Sequence, residues 1–239
     1  MKTKKKALLM TLSAVLLVTV SVFGTMAYLT DNDTVTNTFT VGDVKLILDE
    51  ADVKTDGTYE YVKDDNENYI FAPRVDANEY HLIPGHTYIK DPTVTVVKDS
   101  EAAYVRMFVK VEGIDQLKAA LPNSGETAQY YENGIFLLAK LCVGKDGSGT
   151  WDSATWLPAG YVESTDGKTG TYEFRYKDIV SKNTANNTVL EPLFTAITVP
   201  GSIDNAHLAK LQNTFKIVVT AQAIQADGFA NAAAAWAEF

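Results

Sequence analysis

The sequence predicts an all-β fold, a jelly roll or β-sandwich with short helices and two loop insertions. Three observations carry that expectation. Period-two alternation recurs, most cleanly in AYVRMFVKVE from Ala103 to Glu112, where Val105, Met107, Val109 and Val111 should face the core. On the other face stand Tyr104, Arg106, Phe108 and Lys110. Turn signals such as Pro84-Gly85, Asp166-Gly167 and Pro200-Gly201 separate eight or more extended runs, and helical patterns are short.

Taken in order, the chain opens with a cationic tip, Lys2, Lys4, Lys5 and Lys6, followed by the apolar run ALLMTLSAVLLVTVSVFG from Ala7 to Gly24. Small residues follow, Thr25 and Ala27 standing at the −3 and −1 positions of a cut between Ala27 and Tyr28. Charged tip, apolar run and small-residue cut are the parts of a secretory signal over residues 1–27. A run of about 18 apolar residues can also span a bilayer. Here Thr and Ser dilute it, no basic stop-transfer cluster follows, and Asp31 and Asp33 begin at once, which favours cleavage.

Residues 28–239 then form one domain, since 212 residues suffice for a substantial core but not for two full domains. The signal holds four of 21 basic residues and none of the 30 acidic ones. The mature part therefore has 17 basic against 30 acidic residues, a formal charge of −13. That surface repels phosphate backbones, and no basic stripe argues for nucleic-acid binding. It suits an extracellular protein. A single cysteine, Cys142, permits no internal disulfide, so stability rests on packing; within GIFLLAKLCV (Gly134–Val143) it reads as a buried, inert thiol.

From Tyr28 to Glu50 two extended pieces are separated at Gly42-Asp43. Val35, Asn37, Phe39 and Val41 share one parity and Thr34, Thr36, Thr38 and Thr40 the other. Val44–Leu48 starts the second piece. Residues 51–78, rich in Asp, Lys, Asn, Gly and Tyr, read as a hairpin-bearing insertion. Its cluster Asp64-Asp65-Asn66-Glu67-Asn68 lacks the ligand spacing of a calcium loop and reads as a solvated turn. His81 and His86 flank the Pro84-Gly85 turn. With no third imidazole nearby and no HExxH helix, they read as turn residues rather than zinc ligands.

A strand is expected at Thr93–Val97, a short helix at Ile114–Leu121 and a central strand at Gly134–Val143. Residues 144–170 form the second insertion, with Trp151 and Trp156 pinning it to the sheet; exposed, the same aromatics would bind sugars or a partner. Thr171–Tyr176 closes a hairpin through Asp166-Gly167, with Tyr172, Phe174 and Tyr176 on one side. An amphipathic turn or helix capped by Asp204 spans Asp204–Leu211, Thr214–Ile224 is the last strand, and residues 227–238 end the chain in a short helix.

No GxSxG elbow, P-loop, CxxC or HExxH is present, so no catalytic, cofactor-binding or metal residue is nominated and no cofactor is expected. The Lys-rich start, the apolar run, Gly24-Thr25-Met26-Ala27-Tyr28-Leu29-Thr30-Asp31 and Asn37-Thr38-Phe39-Thr40-Val41-Gly42 resemble the exported TasA and camelysin family of Gram-positive bacteria. Similar too are Pro84-Gly85 with Asp91-Pro92-Thr93-Val94, the Glu101–Arg106 stretch, and the clostridial-type ending QADGF–AAAAW; Val97-Lys98-Asp99 departs from the family's Asn-x-Gly.

That resemblance implies cleavage by a SipW-like signal peptidase, a jelly-roll domain, membrane contact only before cleavage, and secretion to the extracellular matrix or cell surface. It also implies homo-oligomeric fibres in which the mature N-terminal strand, with Val35, Asn37, Phe39 and Val41, completes the sheet of the next subunit. The expected function is a structural protein of the biofilm matrix or of surface fibres. Its rivals are a camelysin-like cell-surface metallopeptidase and a surface adhesin presenting Trp151 and Trp156.

Overall fold

The computed structural model describes residues 44–60, 62–63, 69–70, 73–120, 142–143 and 151–238. The signal segment, the Ala27–Tyr28 cleavage pair, the donor-strand residues Val35, Asn37, Phe39 and Val41, and the Asp64–Asn68 cluster lie outside the described residues. What is described is all-β with short helices. The strands are β1 (Leu46–Ala51), β2 (Val62–Lys63), β3 (Tyr69–Ile70), β4 (Arg74–Val75), β5 (Thr87–Ile89), β6 (Thr93–Val96) and β7 (Ala103–Glu112). Beyond helix α1 (Ile114–Ala120) come β8 (Cys142–Val143), β9 (Trp156–Glu163), β10 (Thr169–Tyr176), β11 (Thr188–Val189) and β12 (Ala196–Thr198). Helix α2 (Asn205–Thr214), β13 (Lys216–Gln225) and α3 (Ala232–Trp236) complete the order.

Among the described residues the strands pair antiparallel in two four-stranded sheets, β11-β6-β1-β4 and β13-β7-β10-β9, with a smaller sheet β5-β12-β8 and the hairpin β2-β3. The central strand of the larger assembly is β7, and its expected core face is borne out: Val105, Met107 and Val109 are fully buried and Val111 nearly so. Register sets size against size. Phe174, Met107 and Ala221 form one cross-strand row, and Tyr172, Val109 and Val219 the next, so each large ring faces a small partner two strands away. Leu46, Val94 and Val96 of the other sheet join these residues in one hydrophobic core, with Tyr88, Phe194 and Ile197.

Local signals fix the punctuation. Gly85 takes φ +77° and His86 N–H donates to Ile83 C=O at 3.1 Å, so Pro84-Gly85 makes the turn its sequence predicts. Asp204 caps α2 by accepting from His207 N–H at 2.8 Å, and Asn231 caps α3 by accepting from Ala234 N–H at 3.0 Å.

One expectation needs correction. The insertion read over residues 144–170 is not all loop, because Trp156–Glu163 is a full strand paired with β10. Its Thr, Gly and Ser content hides that, since Pro158 and a register shift opposite Glu173/Phe174 interrupt the alternation that marks a strand. Of the strand expected over Gly134–Val143 only Cys142–Val143 is described, paired with β12, and the rest lies outside the described residues. Arg106, on the face of β7 away from the core, is 8% exposed, because α3 lies over it.

Candidate functional site

Alternation along β1 puts Leu46, Leu48 and Glu50 on one side, paired in register across from Val96 and Val94. The run continues inward one residue past its apolar part, leaving Glu50 only 5% exposed. The same happens at the end of β5, where Tyr88 and then Lys90 point inward. Two strands thus each finish their buried face with an ionisable residue, and the two meet: Lys90 Nζ lies 2.5 Å from Glu50 Oε2. A charge buried so deeply needs this partner, and removing either side of such a pair costs about 3–5 kcal/mol.

Asn78 completes the group. Its Nδ2 donates to Glu50 Oε1 and to Ala51 C=O, both at 2.9 Å, and its Oδ1 accepts from Val53 N–H at 2.9 Å. The carbonyl and the N–H on either side fix which way this amide points. The ring of Tyr80 lies under Lys90 Nζ at 5.8 Å, and the Tyr80 hydroxyl donates to Ile89 C=O at 3.0 Å. Burial, then the charges of Glu50 and Asp91, push the Tyr80 hydroxyl well above the usual tyrosine pKa, so it stays a neutral donor.

Arg74 ties the neighbouring chain to this group. Its Nε donates to Asp49 at 2.8 Å and its Nη1 to Asp91 at 2.6 Å, while Nη2 donates to both their main-chain carbonyls. Burial works against the Arg74 charge, and the two carboxylates more than offset it.

Glu50, Asn78, Tyr80 and Lys90 wall one end of a cleft of about 610 Å³ between β1 and the first half of β13. Leu48, Leu82, Tyr88, Phe215, Ile217 and Val219 supply its apolar lining. The cleft wall at Tyr88 is itself built tightly: Tyr88 Oη donates to His81 C=O at 2.5 Å and accepts from Ile83 N–H at 2.6 Å. Gly57, at φ +79°, passes so close to Tyr88 that a Cβ there would lie 2.6 Å from its ring.

His81 and His86 do not converge. His86 Nε2 lies 2.8 Å from Asp56 C=O and its ring packs on Tyr88, while His81 is exposed and engages through its main chain. Among the described residues no three His, Cys, Asp or Glu side chains group as a metal site. Trp156 is fully buried, its Nε1 donating to Glu191 C=O at 2.8 Å; Trp151 packs 5.5 Å from Phe174. Both therefore pin their segment to the sheet, and Trp156 is not presented to a ligand.

The sequence did not nominate Glu50, Asn78, Tyr80 and Lys90. A signal was there in the parity of Leu46, Leu48 and Glu50, and of Tyr88 and Lys90, but a charged residue at a strand's end ordinarily marks its exit to solvent. No protein-family model, no curated protein and no solved structure matches this chain.

Proposed function

We propose that the chain is an exported structural subunit of surface fibres or of the biofilm matrix. In this reading a SipW-like peptidase cuts between Ala27 and Tyr28, and the freed segment, with Val35, Asn37, Phe39 and Val41, adds to the sheet of a neighbouring copy. Jelly-roll connectivity, as in the TasA and camelysin family that the sequence resembles, belongs to the same reading.

The observation that carries it is the difference between the two edges of the larger sheet. At one edge, β9 is guarded by Pro158 and an irregular register. At the other, β13 runs for ten residues, KIVVTAQAIQ, with no proline, no register shift and a single charge, at Lys216. Among the described residues β13 pairs with β7 alone, and its first half borders the apolar cleft. An extended segment with one apolar face would gain ladder hydrogen bonds from such an edge and register from the cleft.

Donor and acceptor surfaces differ in this arrangement, so the contact propagates head to tail instead of closing as a dimer. An attached signal would hold the segment at the membrane, which makes cleavage the switch for assembly. Electron microscopy of protein beginning at Tyr28, beside protein lacking Tyr28–Val41, tests this. Filaments are expected from the first alone, and filaments from both would refute strand addition.

A further inference from the structure

The group at the end of the cleft holds the parts of an amide-forming reaction. Lysine, asparagine and glutamate meet at the cleft wall: one oxygen of Glu50 lies 2.5 Å from Lys90 Nζ and the other accepts from Asn78 Nδ2 at 2.9 Å. Lys90 is 9% and Glu50 5% exposed. The amine and the amide therefore share one carboxylate, and the Asn78 carbonyl oxygen already accepts from Val53 N–H at 2.9 Å. A donor placed there would stabilise the negative charge that grows on that oxygen during attack.

We propose that Lys90 and Asn78 join in an intramolecular isopeptide bond, with Glu50 as the proton-transferring residue. Glu50 Oε2 takes a proton from the Lys90 ammonium, and the freed lone pair attacks Cγ of Asn78. The bond from Cγ to Nζ forms, the oxyanion rests on Val53 N–H, and collapse breaks the bond from Cγ to Nδ2. Through Glu50 the leaving nitrogen collects the two protons that Lys90 gives up and departs as ammonium ion. Charge is conserved, nothing is oxidised or reduced, and no co-reactant is needed. Amines attack amides very slowly in water; a fixed geometry with a shared proton carrier supplies the orientation that makes the step accessible.

The product closes a covalent ring from Asn78 to Lys90 that encloses the Pro84-Gly85 turn and Tyr88, one wall of the cleft. The bond does not depend on the proposed assembly. A noncovalent Glu50–Lys90 ion pair is the other possibility, and mass separates the two.

Peptide mapping of the purified chain reads the bond whatever its amino terminus. Unlinked protein gives trypsin the fragments Val75–Lys90 and Asp91–Lys98. The linked protein should resist cleavage at Lys90 and give a single fragment, Val75–Lys98, lighter by one molecule of ammonia. Cutting after Glu79 should then leave two pieces still joined. Asn78→Ala and Lys90→Arg chains should show the full mass, and Glu50→Gln should show the bond lost or slowed. Native, folded wild-type protein that yields separate Val75–Lys90 and Asp91–Lys98 after prolonged incubation would overturn the proposal, irrespective of how the variants fold.

Discussion

The guanidinium of Arg106 lies 4.3 Å from the ring of Trp236, so the last helix of the chain covers a cation in the middle of a sheet face. Gln222 Oε1 accepts from Arg106 Nε at 2.8 Å, Glu173 pairs with it, and Phe108 lies on its flank. Burial lowers the Arg106 pKa, with the Glu173 charge acting against that loss. A second, smaller apolar cluster forms there from Ile224, Ala235 and Trp236. Trp236→Ala should destabilise the protein by about 3–5 kcal/mol, the usual cost of deleting a buried ring. Chemical denaturation checks this, and Trp236→Phe should recover part of the loss.

Burial separates two substitutions of similar chemistry. Met107 is fully buried in the central strand, whereas Val162 is 70% exposed on the sheet edge. Met107→Ala should cost about 2–5 kcal/mol and Val162→Ala less than about 0.5 kcal/mol by the same denaturation measurement.

Gly57→Ala should destabilise by more than about 1 kcal/mol, because the left-handed backbone resists a side chain and the atoms in its way are rigid. The new Cβ would lie 2.7 Å from the Tyr88 Cα, which is main chain and cannot swing aside. Thermal unfolding reads the effect.

Acid should loosen the contact between α1 and β9. Lys118 Nζ donates to Glu163 Oε2 at 2.5 Å and Tyr161 Oη donates to the same oxygen at 2.8 Å. The Lys118 hydrogen bond above all holds the Glu163 carboxyl below its ordinary value of 4.5, and burial only partly opposes it. A folded-state pKa lower than the unfolded one means that the contribution is complete above the unfolded value. It is lost as pH falls through the folded value. Thermal midpoints measured from about pH 6 downwards should therefore fall, and Glu163→Gln should flatten that fall.

The proposed assembly can be blocked at its acceptor. Val218 lies half-buried on β13 beside the cleft, and a lysine on the last strand of a sheet discourages pairing. Val218→Lys should abolish filaments in micrographs while circular dichroism shows the monomer still folded, at a modest cost in stability because Lys110 stands directly opposite on β7. Filaments at wild-type yield would exclude β13 as the acceptor edge.

The alternation of Ala103–Glu112 and Thr171–Tyr176, the turns at Pro84-Gly85 and Asp166-Gly167, and the cap at Asp204 were legible because each depends on neighbours within a few residues. β9 was hidden by Pro158 and its irregular register, and Arg106 gave no sign of burial because its cover comes from residues 130 positions away. The candidate site was illegible for a similar reason. Glu50, Asn78 and Lys90 are ordinary polar residues in three separate stretches, and nothing in their spacing joins them.

By itself the sequence determined the all-β class, the inward face of β7 and the places where the chain turns, because period and turn chemistry are local. Only the tertiary structure decided which strands stand last in each sheet among the described residues, and that a lysine, a glutamate and an asparagine meet at one carboxylate. Burial and partnership arise from elements distant in sequence, and a carboxylate is solvated or desolvated according to what folds over it.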